Sequence, residues 1–220
     1  CFDGNSHHNE DLKDAFAYSC NSAFSTIGDK LKVLKYKNTA EQLLFNEALP
    51  LDMDYNQSVF PLSKSSTQFD ITQTSIGQGK TTVSPAHMAM IASAIANNGV
   101  LMKPYIIDYI ENSSGNVVKL TKQQEYKRLM KKSEAEQLKE YMHAVCEYGT
   151  GRVFSGANYQ VYGKTGTAEV DKNDNVNSWF VGYAKKGKKK LAIAVVIENM
   201  HEGSTSATNC AKEVLDSYFD

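Results

Sequence analysis

Apolar side chains recur every three to four residues along six stretches of the chain, which is the pattern of helices packed on one side. Ser84 followed by Pro85 is a strong helix start, because serine caps the first turn and proline fits its first position. Ser133 and Glu136 have the spacing of a capping box. The predicted helices are 9–18 with Asn9 as its cap, 22–31, 38–49 up to Pro50, 84–98, 133–148 and 206–219.

Strand patterns are concentrated in the last third of the chain, where β-branched and aromatic residues are frequent. The run 191–197 is apolar at every position, which is typical of a strand covered on both faces, here by helices earlier in the chain and the closing helix. A shorter hairpin is predicted across 101–120, with its turn at 113–116. The main predicted strands are 160–170, 177–185 and 190–199, joined by turns at 171–176 and around Gly187.

Helices early in the chain and a strand meander late in it predict an α+β fold, an antiparallel sheet flanked by helices. The 220 residues are expected to form a single domain over 1–220. It divides into a helical part at about 9–150 and a meander with its closing helix at about 157–220. Residues 50–83 carry few periodic signals, and a loop of this length is usually functional or disordered.

The charge balance disfavours two classes of partner. The formal net charge is −1, so no overall field attracts nucleic acid or an anionic membrane. The lysines between 185 and 190 form a short run without interleaved aromatics, and we expect a solvated hairpin tip there. The longest apolar run, 191–197, is far shorter than the roughly 20 residues that a membrane helix needs.

The cysteines and histidines do not predict a metal site. The four cysteines have no Cys-x-x-Cys spacing, so we expect small buried or loop thiols, and their pairing stays open. The cluster from His7 to Asp11 lacks the His-Glu-x-x-His spacing, and a solvated loop leading into the first helix is expected. The chain opens at Cys1 on a polar loop without a signal peptide, which we interpret as the start of a fragment.

Gly-Lys-Thr occurs at 79–81 and at 163–165, and this triplet can end a phosphate-binding loop. Such a loop needs a glycine five residues before the triplet, where this sequence has Thr74 and Asn158. It also needs a helix directly after the lysine, whereas the pattern after Lys164 stays extended. Nucleotide binding is therefore not expected.

A different pair of triplets fits its surroundings. Ser19-Cys20-Asn21 lies in a break between two predicted helices, and Lys164-Thr165-Gly166 lies on a predicted strand. Together with Ser-x-x-Lys, such triplets form the motif set of penicillin-binding proteins and class A β-lactamases. Taken singly, Ser19 and Asn21 would be interpreted as helix caps and Lys164 as an ordinary strand lysine. Their order and their element types together favour the motif set.

The resemblance extends beyond the triplets. The segments AFAYSCNSAF, SIGQGKTTVSPAHMAMIASAIANNG, GKTGTAE and SWFVGYA resemble the transpeptidase domain of penicillin-binding proteins, most closely the class B type of Gram-positive bacteria. The resemblance covers nearly the whole chain except 50–70, and Gln78-Gly79 lies between the motifs as in that family. It implies the fold of penicillin-binding proteins and serine β-lactamases, here N-terminally truncated.

Strand geometry gives these residues a physical interpretation. Successive side chains of a strand point to opposite faces, so Thr165 and Thr167 share one face and Lys164 and Gly166 the other. Two hydroxyl groups on one face can hold a carboxylate. The missing side chain of Gly166 lets a bound substrate backbone lie close to the strand.

The resemblance also implies roles for these residues. Thr165 and Thr167 would bind the terminal carboxylate of the substrate, and the Thr167 N–H would supply half of an oxyanion hole. One such donor is typically worth about 2.7–4 kcal/mol in the transition state. Lys164 would bring positive potential, Ser19 would relay a proton, and Asn21 would hydrogen-bond the substrate amide. The resemblance implies no metal and no cofactor.

The nucleophile motif is missing from the sequence, since no serine is followed by a lysine three residues later. The resemblance places that motif several tens of residues before Ser-x-Asn, and only 18 residues precede Ser19. We therefore expect a C-terminal part of a D,D-transpeptidase that cross-links peptidoglycan stem peptides ending in D-Ala-D-Ala through a serine acyl-enzyme. β-Lactam antibiotics would be its inhibitors, and the fragment alone would be inactive.

Two alternatives stay open at this point. One is a non-catalytic β-lactam-sensing or wall-binding module on the same fold. The other is a serine β-lactamase, which would need a deacylating glutamate between the two motifs. The resemblance further implies a parent protein at the extracellular face of the cytoplasmic membrane, anchored by a segment before Cys1.

Two spatial expectations follow. Ser19 and Asn21 should face the strand of Lys164 across one cleft, because both motifs must touch the same small substrate. The strand at 191–197 should keep one open hydrogen-bonding edge. We expect that edge to self-associate, or to be capped by residues 1–10 or 101–110.

Overall fold

The computed structural model of the protein describes residues 9–170, 175–200 and 205–220. Cys1, the two histidines of the His7–Asp11 cluster and the turn residues 171–174 lie outside this range. The helices are α1 (Leu12–Ala17), α2 (Asn21–Lys30), α3 (Val33–Gln42), α4 (Gln68–Ser75), α5 (Pro85–Ala96), α6 (Lys132–Glu147) and α7 (Ala207–Phe219). The strands are β1 (Val100–Met102), β2 (Tyr109–Glu111), β3 (Val117–Leu120), β4 (Glu125–Arg128), β5 (Gln160–Glu169), β6 (Val176–Lys186) and β7 (Lys189–Met200).

The predicted meander forms a three-stranded antiparallel sheet in the order β5-β6-β7. The β6–β7 hairpin turns at Gly187, whose φ of +59° suits glycine better than any other residue. In the β5–β6 register Gly163 lies opposite Gly182, and Lys164 lies opposite Val181. The three long strands predicted from the sequence are confirmed, and so is the α+β class.

Helices cover both faces of this sheet, as the apolar run 191–197 predicted. Leu191, Ile193, Val195 and Ile197 pack against a buried cluster that includes Leu215 of α7 and Phe180 of β6. Ala192 packs against the other buried cluster, which includes the α5 residues. The residues of this run are nevertheless only partly buried.

Of the helix caps predicted from the sequence, those of α5 and α7 are confirmed and that of α6 is wrong. The Ser84 hydroxyl accepts the His87 N–H at 3.2 Å at the start of α5, as predicted, and Ser206 caps α7 in the same way. The capping box predicted at Ser133 and Glu136 is wrong. The Glu134 carboxylate accepts the Lys131 N–H at 2.8 Å, so α6 begins two residues earlier.

Two helix predictions in the first half of the chain need correction. The cap of α1 is Asp11, not Asn9, because the Asp11 carboxylate accepts the Asp14 N–H at 2.9 Å. The helix predicted at 38–49 instead spans Val33–Gln42, since Leu44 and Asn46 adopt positive φ angles of +74° and +61° that a helix cannot contain.

The region 50–83, expected to lack regular structure, contains α4. Its start is a capping box in which the Thr67 hydroxyl accepts the Asp70 N–H and the Asp70 carboxylate accepts the Thr67 N–H. The apolar residues of this eight-residue helix are not gathered on one face. The sequence therefore shows no strong helical period there.

The mainly helical part of the chain also holds two small sheets. The hairpin predicted across 101–120 exists as β2 paired with β3, while β1 pairs with β4. Residues 101–110 therefore do not cap β7, and that alternative is wrong. The alternative cap by residues 1–10 falls largely outside the described residues. Among the described strands, only β6 pairs with β7, so no described strand covers the outer edge of β7.

The described cysteines fit the expectation of small buried thiols in two cases of three. Cys20 and Cys146 are buried and Cys210 is half-buried, and no disulfide joins any two of them. Burial raises the pKa of the Cys146 thiol to about 12. No described helix is long and apolar enough to cross a bilayer.

Candidate active site

Ser19 lies in a tight turn between α1 and α2 and has an unusual backbone conformation. Its φ of +56° is in the left-handed region, which costs a residue with a side chain roughly 1–2 kcal/mol. Such strained positions cluster at functional sites. Ser19 caps neither helix, because the cap positions are Tyr18 for α1 and Cys20 for α2. The helix-capping interpretation of Ser19 is therefore wrong.

The Ser19 hydroxyl instead contacts the strand that carries the second motif. Lys164 Nζ on β5 donates to Ser19 Oγ at 2.9 Å, although 145 residues separate the two in the chain. Ser19 thus faces the strand of Lys164 as expected, whereas the cleft shared by Ser19, Asn21 and Lys164 stays a prediction. The same ammonium also donates to the Thr165 carbonyl oxygen at 2.9 Å.

Lys164 is partly buried next to an aromatic ring and lies close to no described carboxylate. Its Nζ is 5.8 Å from the centroid of the Phe16 ring. Removal from water lowers the pKa of Lys164 to about 8. Below about pH 8 the side chain is mainly charged and attracts anions, and above it the neutral amine can accept a proton.

Asn21 is the first residue of α2, two positions after Ser19. Within the described part of the chain, its side chain makes no hydrogen bond. The structure brings Ser19 to Lys164, but it shows no hydrogen bond between Asn21 and β5 within the described residues.

A second hydroxyl contact, which the sequence did not reveal, lies at Thr165. Thr150, in the turn after α6, places its Oγ1 2.6 Å from Thr165 Oγ1. The two residues are 15 positions apart and belong to different elements. No motif marks Thr150; only the glycines on either side of it in the sequence YGTG signal a tight turn.

Gln78 is another residue of the site whose contact could not be predicted. Its Nε2 donates to the Thr167 carbonyl oxygen at 3.3 Å. In an antiparallel strand, the N–H and the C=O of one residue point to the same side. The Thr167 N–H therefore faces the same side as the carbonyl that Gln78 reaches, which suits it to bind an oxyanion.

Gly166 also lies close to the neighbouring strand of the sheet. A Cβ atom at this position would lie 3.2 Å from Trp179 Cβ on the neighbouring strand β6, a tight contact. The missing side chain of Gly166 thus leaves room for Trp179 within the sheet as well as for the bound ligand that is expected there.

A family model agrees with the family that the motifs indicate. The model described as "Penicillin binding protein transpeptidase domain" matches residues 2–216, which is nearly the whole chain. The peptidoglycan D,D-transpeptidase PbpA of Mycolicibacterium smegmatis is 28% identical over 86% of this chain and 38% of its own length. The peptidoglycan D,D-transpeptidase MrdA of Haemophilus influenzae is 31% identical over 70% of this chain and 26% of its own length.

Solved structures agree on the fold. The D,D-transpeptidase domain of a peptidoglycan glycosyltransferase from Eggerthella lenta superposes with a TM-score of 0.86 at 27% identity, covering 96% of this chain and 53% of that one. Penicillin-binding protein A of Mycobacterium tuberculosis, solved as an imipenem acyl-enzyme complex, has a TM-score of 0.82 at 22% identity, covering 98% of this chain and 49% of that one.

Two features of these relatives limit what can be said of the length and the bacterial source of the whole protein. This chain spans about a quarter to two fifths of the length of these curated relatives. Gram-negative bacteria are among their sources, so the expected Gram-positive origin does not follow. The match over residues 2–216 decides the family: the chain belongs to the transpeptidase domains of penicillin-binding proteins.

Proposed function

We propose that this chain supplies the Ser-x-Asn and Lys-Thr-Gly side of the active site of a peptidoglycan D,D-transpeptidase. The observation that carries the proposal is the 2.9 Å contact between Lys164 Nζ and Ser19 Oγ, which brings the first residues of the two motifs together. The nucleophilic serine and its lysine would come from a segment outside these 220 residues, since the sequence contains no Ser-x-x-Lys.

Each residue of the site has a place in the reaction. The hydroxyls of Thr165 and Thr167 hold the terminal carboxylate of a D-Ala-D-Ala stem peptide. The nucleophilic serine attacks the amide carbonyl, and the Thr167 N–H stabilises the resulting oxyanion. Asn21 hydrogen-bonds the substrate amide.

Ser19 and Lys164 form the proton path. Through the Ser19 hydroxyl a proton reaches the nitrogen of the departing D-alanine, and Lys164 holds that hydroxyl in place. An amine of a second peptidoglycan strand then attacks the acyl-enzyme, releases the serine and forms the cross-link. No step requires a metal or a cofactor.

β-Lactam antibiotics would react at the same place. They present a carboxylate and a strained amide, and the related protein from Mycobacterium tuberculosis was solved with imipenem as an acyl-enzyme. The relatives named peptidoglycan D,D-transpeptidases support action on the cell wall. We place the site at the extracellular face of the cytoplasmic membrane, with the anchor in a preceding segment.

Covalent labelling with a fluorescent penicillin tests the proposal. The 220-residue chain alone is expected to give no adduct that survives denaturation, whereas a protein extended upstream through a Ser-x-x-Lys motif should be labelled. In the extended protein, Ser19→Ala should slow labelling at least about tenfold, within the range of general acid–base contributions. Ser25→Ala, on α2 but outside the motif, is the matched control and should leave the rate unchanged.

Other outcomes would contradict the assignment in distinct ways. An adduct on the chain alone would mean that another nucleophile serves, with Ser19 and Cys20 the first to test. An extended protein that binds penicillin without an adduct would be a sensing module. One that releases the hydrolysed drug rapidly would be a β-lactamase.

A further inference from the structure

The turn that follows α6 is docked onto α1, the helix that leads into the Ser19 turn. Tyr148 Oη donates to Asp14 Oδ1 at 2.7 Å, and the Thr150 N–H donates to the Ala17 carbonyl at 3.0 Å. A Cβ atom at Gly149 would lie 2.3 Å from the Ala17 carbonyl oxygen, so only glycine allows this approach. The turn is therefore fixed relative to Ser19 by backbone contacts.

The same turn also reaches the Lys-Thr-Gly strand. Thr150 Oγ1 lies 2.6 Å from Thr165 Oγ1, a short hydroxyl–hydroxyl hydrogen bond. The Gly151 N–H donates to the Val145 carbonyl at 2.9 Å and holds the turn against the end of α6. Thr150 is thus bonded through its backbone to the Ser-x-Asn side and through its side chain to the Lys-Thr-Gly side.

The direction of this hydroxyl bond decides what Thr165 can bind. A hydroxyl has one hydrogen to donate and two lone pairs that accept. If Thr150 donates to Thr165, the single Thr165 hydrogen is free for a carboxylate, which only accepts. If Thr165 donates to Thr150, it offers a carboxylate nothing but lone pairs. A carboxylate ligand is therefore held well only when Thr150 is the donor.

We infer that Thr150 is a positioning residue that orients the Thr165 hydroxyl to donate to the carboxylate of the ligand. This role rests on the proposed function of Thr165. Thr150 acts through Thr165, and it needs no contact with the ligand itself. Its backbone bond to Ala17 ties Thr150 to the helix that leads into the Ser19 turn.

Two variants separate orientation from simple structural support. Thr150→Val keeps the branched shape of threonine, removes the hydroxyl and leaves the backbone N–H bond to Ala17 intact. Thr150→Ser keeps the hydroxyl and removes a methyl group. A purely structural role would make both variants weaken every ligand equally, whereas an orienting role depends on the hydroxyl and on the charge of the ligand.

The experiment follows the backbone amides of Thr165 and Thr167 by NMR in the ¹⁵N-labelled 220-residue chain. The chain is titrated with acetyl-D-alanyl-D-alanine and, separately, with its C-terminal amide. Thr150→Val should bind the acid about tenfold more weakly, because the hydrogen bond that it disturbs is to a charged group. It should bind the amide as tightly as the unchanged chain does. Thr150→Ser should stay within about twofold for both ligands.

Three results would overturn the inference: undiminished binding of the acid by Thr150→Val, equal losses for acid and amide, and no binding of the acid by the unchanged chain. A different result would reject the transpeptidase assignment alone. Acid binding with the expected variant pattern, but no penicillin adduct in the extended protein, would leave Thr150 in its role and reject the enzyme.

Discussion

Lys164 and Ser19 are each held in a state that their residue type rarely adopts. Ser19 has a left-handed backbone, and Lys164 is kept from water without a neighbouring carboxylate among the described residues. Both features cost folding free energy, and both bring polar groups next to each other. The site is thus assembled at some expense of stability, which is common where geometry serves chemistry.

The lowered pKa of Lys164 predicts a pH dependence of anion binding. Below its pKa of about 8 the side chain is charged and attracts a carboxylate, and this attraction is lost as the pH rises through 8. The affinity for acetyl-D-alanyl-D-alanine should fall roughly fivefold between pH 7 and 9.5, corresponding to about 1 kcal/mol for a partly exposed ion pair. Titrations at several pH values measure this change.

The C-terminal amide of the same peptide is the control for this effect and should bind with little pH dependence. Lys164→Arg keeps its charge throughout the range, so its profile for the acid should be flat. Equal slopes for the acid and the amide would show that Lys164 does not act on the carboxylate.

At the scale of the elements, β5 owes its position to the close approach of two glycines. Gly163 and Gly182 lie opposite each other, and a Cβ atom at Gly163 would lie 2.3 Å from Cζ of the Phe180 ring. Phe180 is completely buried, so the ring has no free space into which to move. The residue before Lys164 thus sets how closely β5 packs on the sheet.

Gly163→Ala should therefore destabilise the protein by about 1–3 kcal/mol, the usual cost of overpacking. Chemical denaturation would measure the loss. Phe180→Leu removes the ring atoms that the new methyl group meets, so the double variant should lose less than the sum of the two single losses. Strict additivity would show that the ring is not the obstacle.

At the scale of the whole molecule, the sheet ends in a strand with one unpaired edge. Apolar residues of β7 pack on both faces, but among the described strands none pairs with its outer edge. An open edge of this length favours pairing with another chain. The expectation that residues 191–197 mediate self-association therefore stays a prediction.

Light scattering over a range of concentrations tests this association. The mass of the chain should rise with concentration, and outward-facing amides of β7 should become more protected from hydrogen exchange in the associated form. Amides of β6, which is paired on both sides, serve as the internal control. A strictly monomeric chain at high concentration would contradict the prediction.

The sequence by itself determined the motif order, the three long strands, the capped starts of α5 and α7, and the family. These features are local, because a triplet, a strand period or a cap is written within a few neighbouring residues. Ser19 and Lys164 could be paired in advance only because the two motifs must meet one ligand.

Only the tertiary structure decided which residues complete the site. Thr150 contacts Thr165 from another element, and Gln78 reaches Thr167 across 89 positions of sequence. The left-handed turn at Ser19 and the early end of α3 have no local signal of comparable strength. Such contacts depend on how helices pack on the sheet, and packing joins residues whose local patterns carry no information about each other.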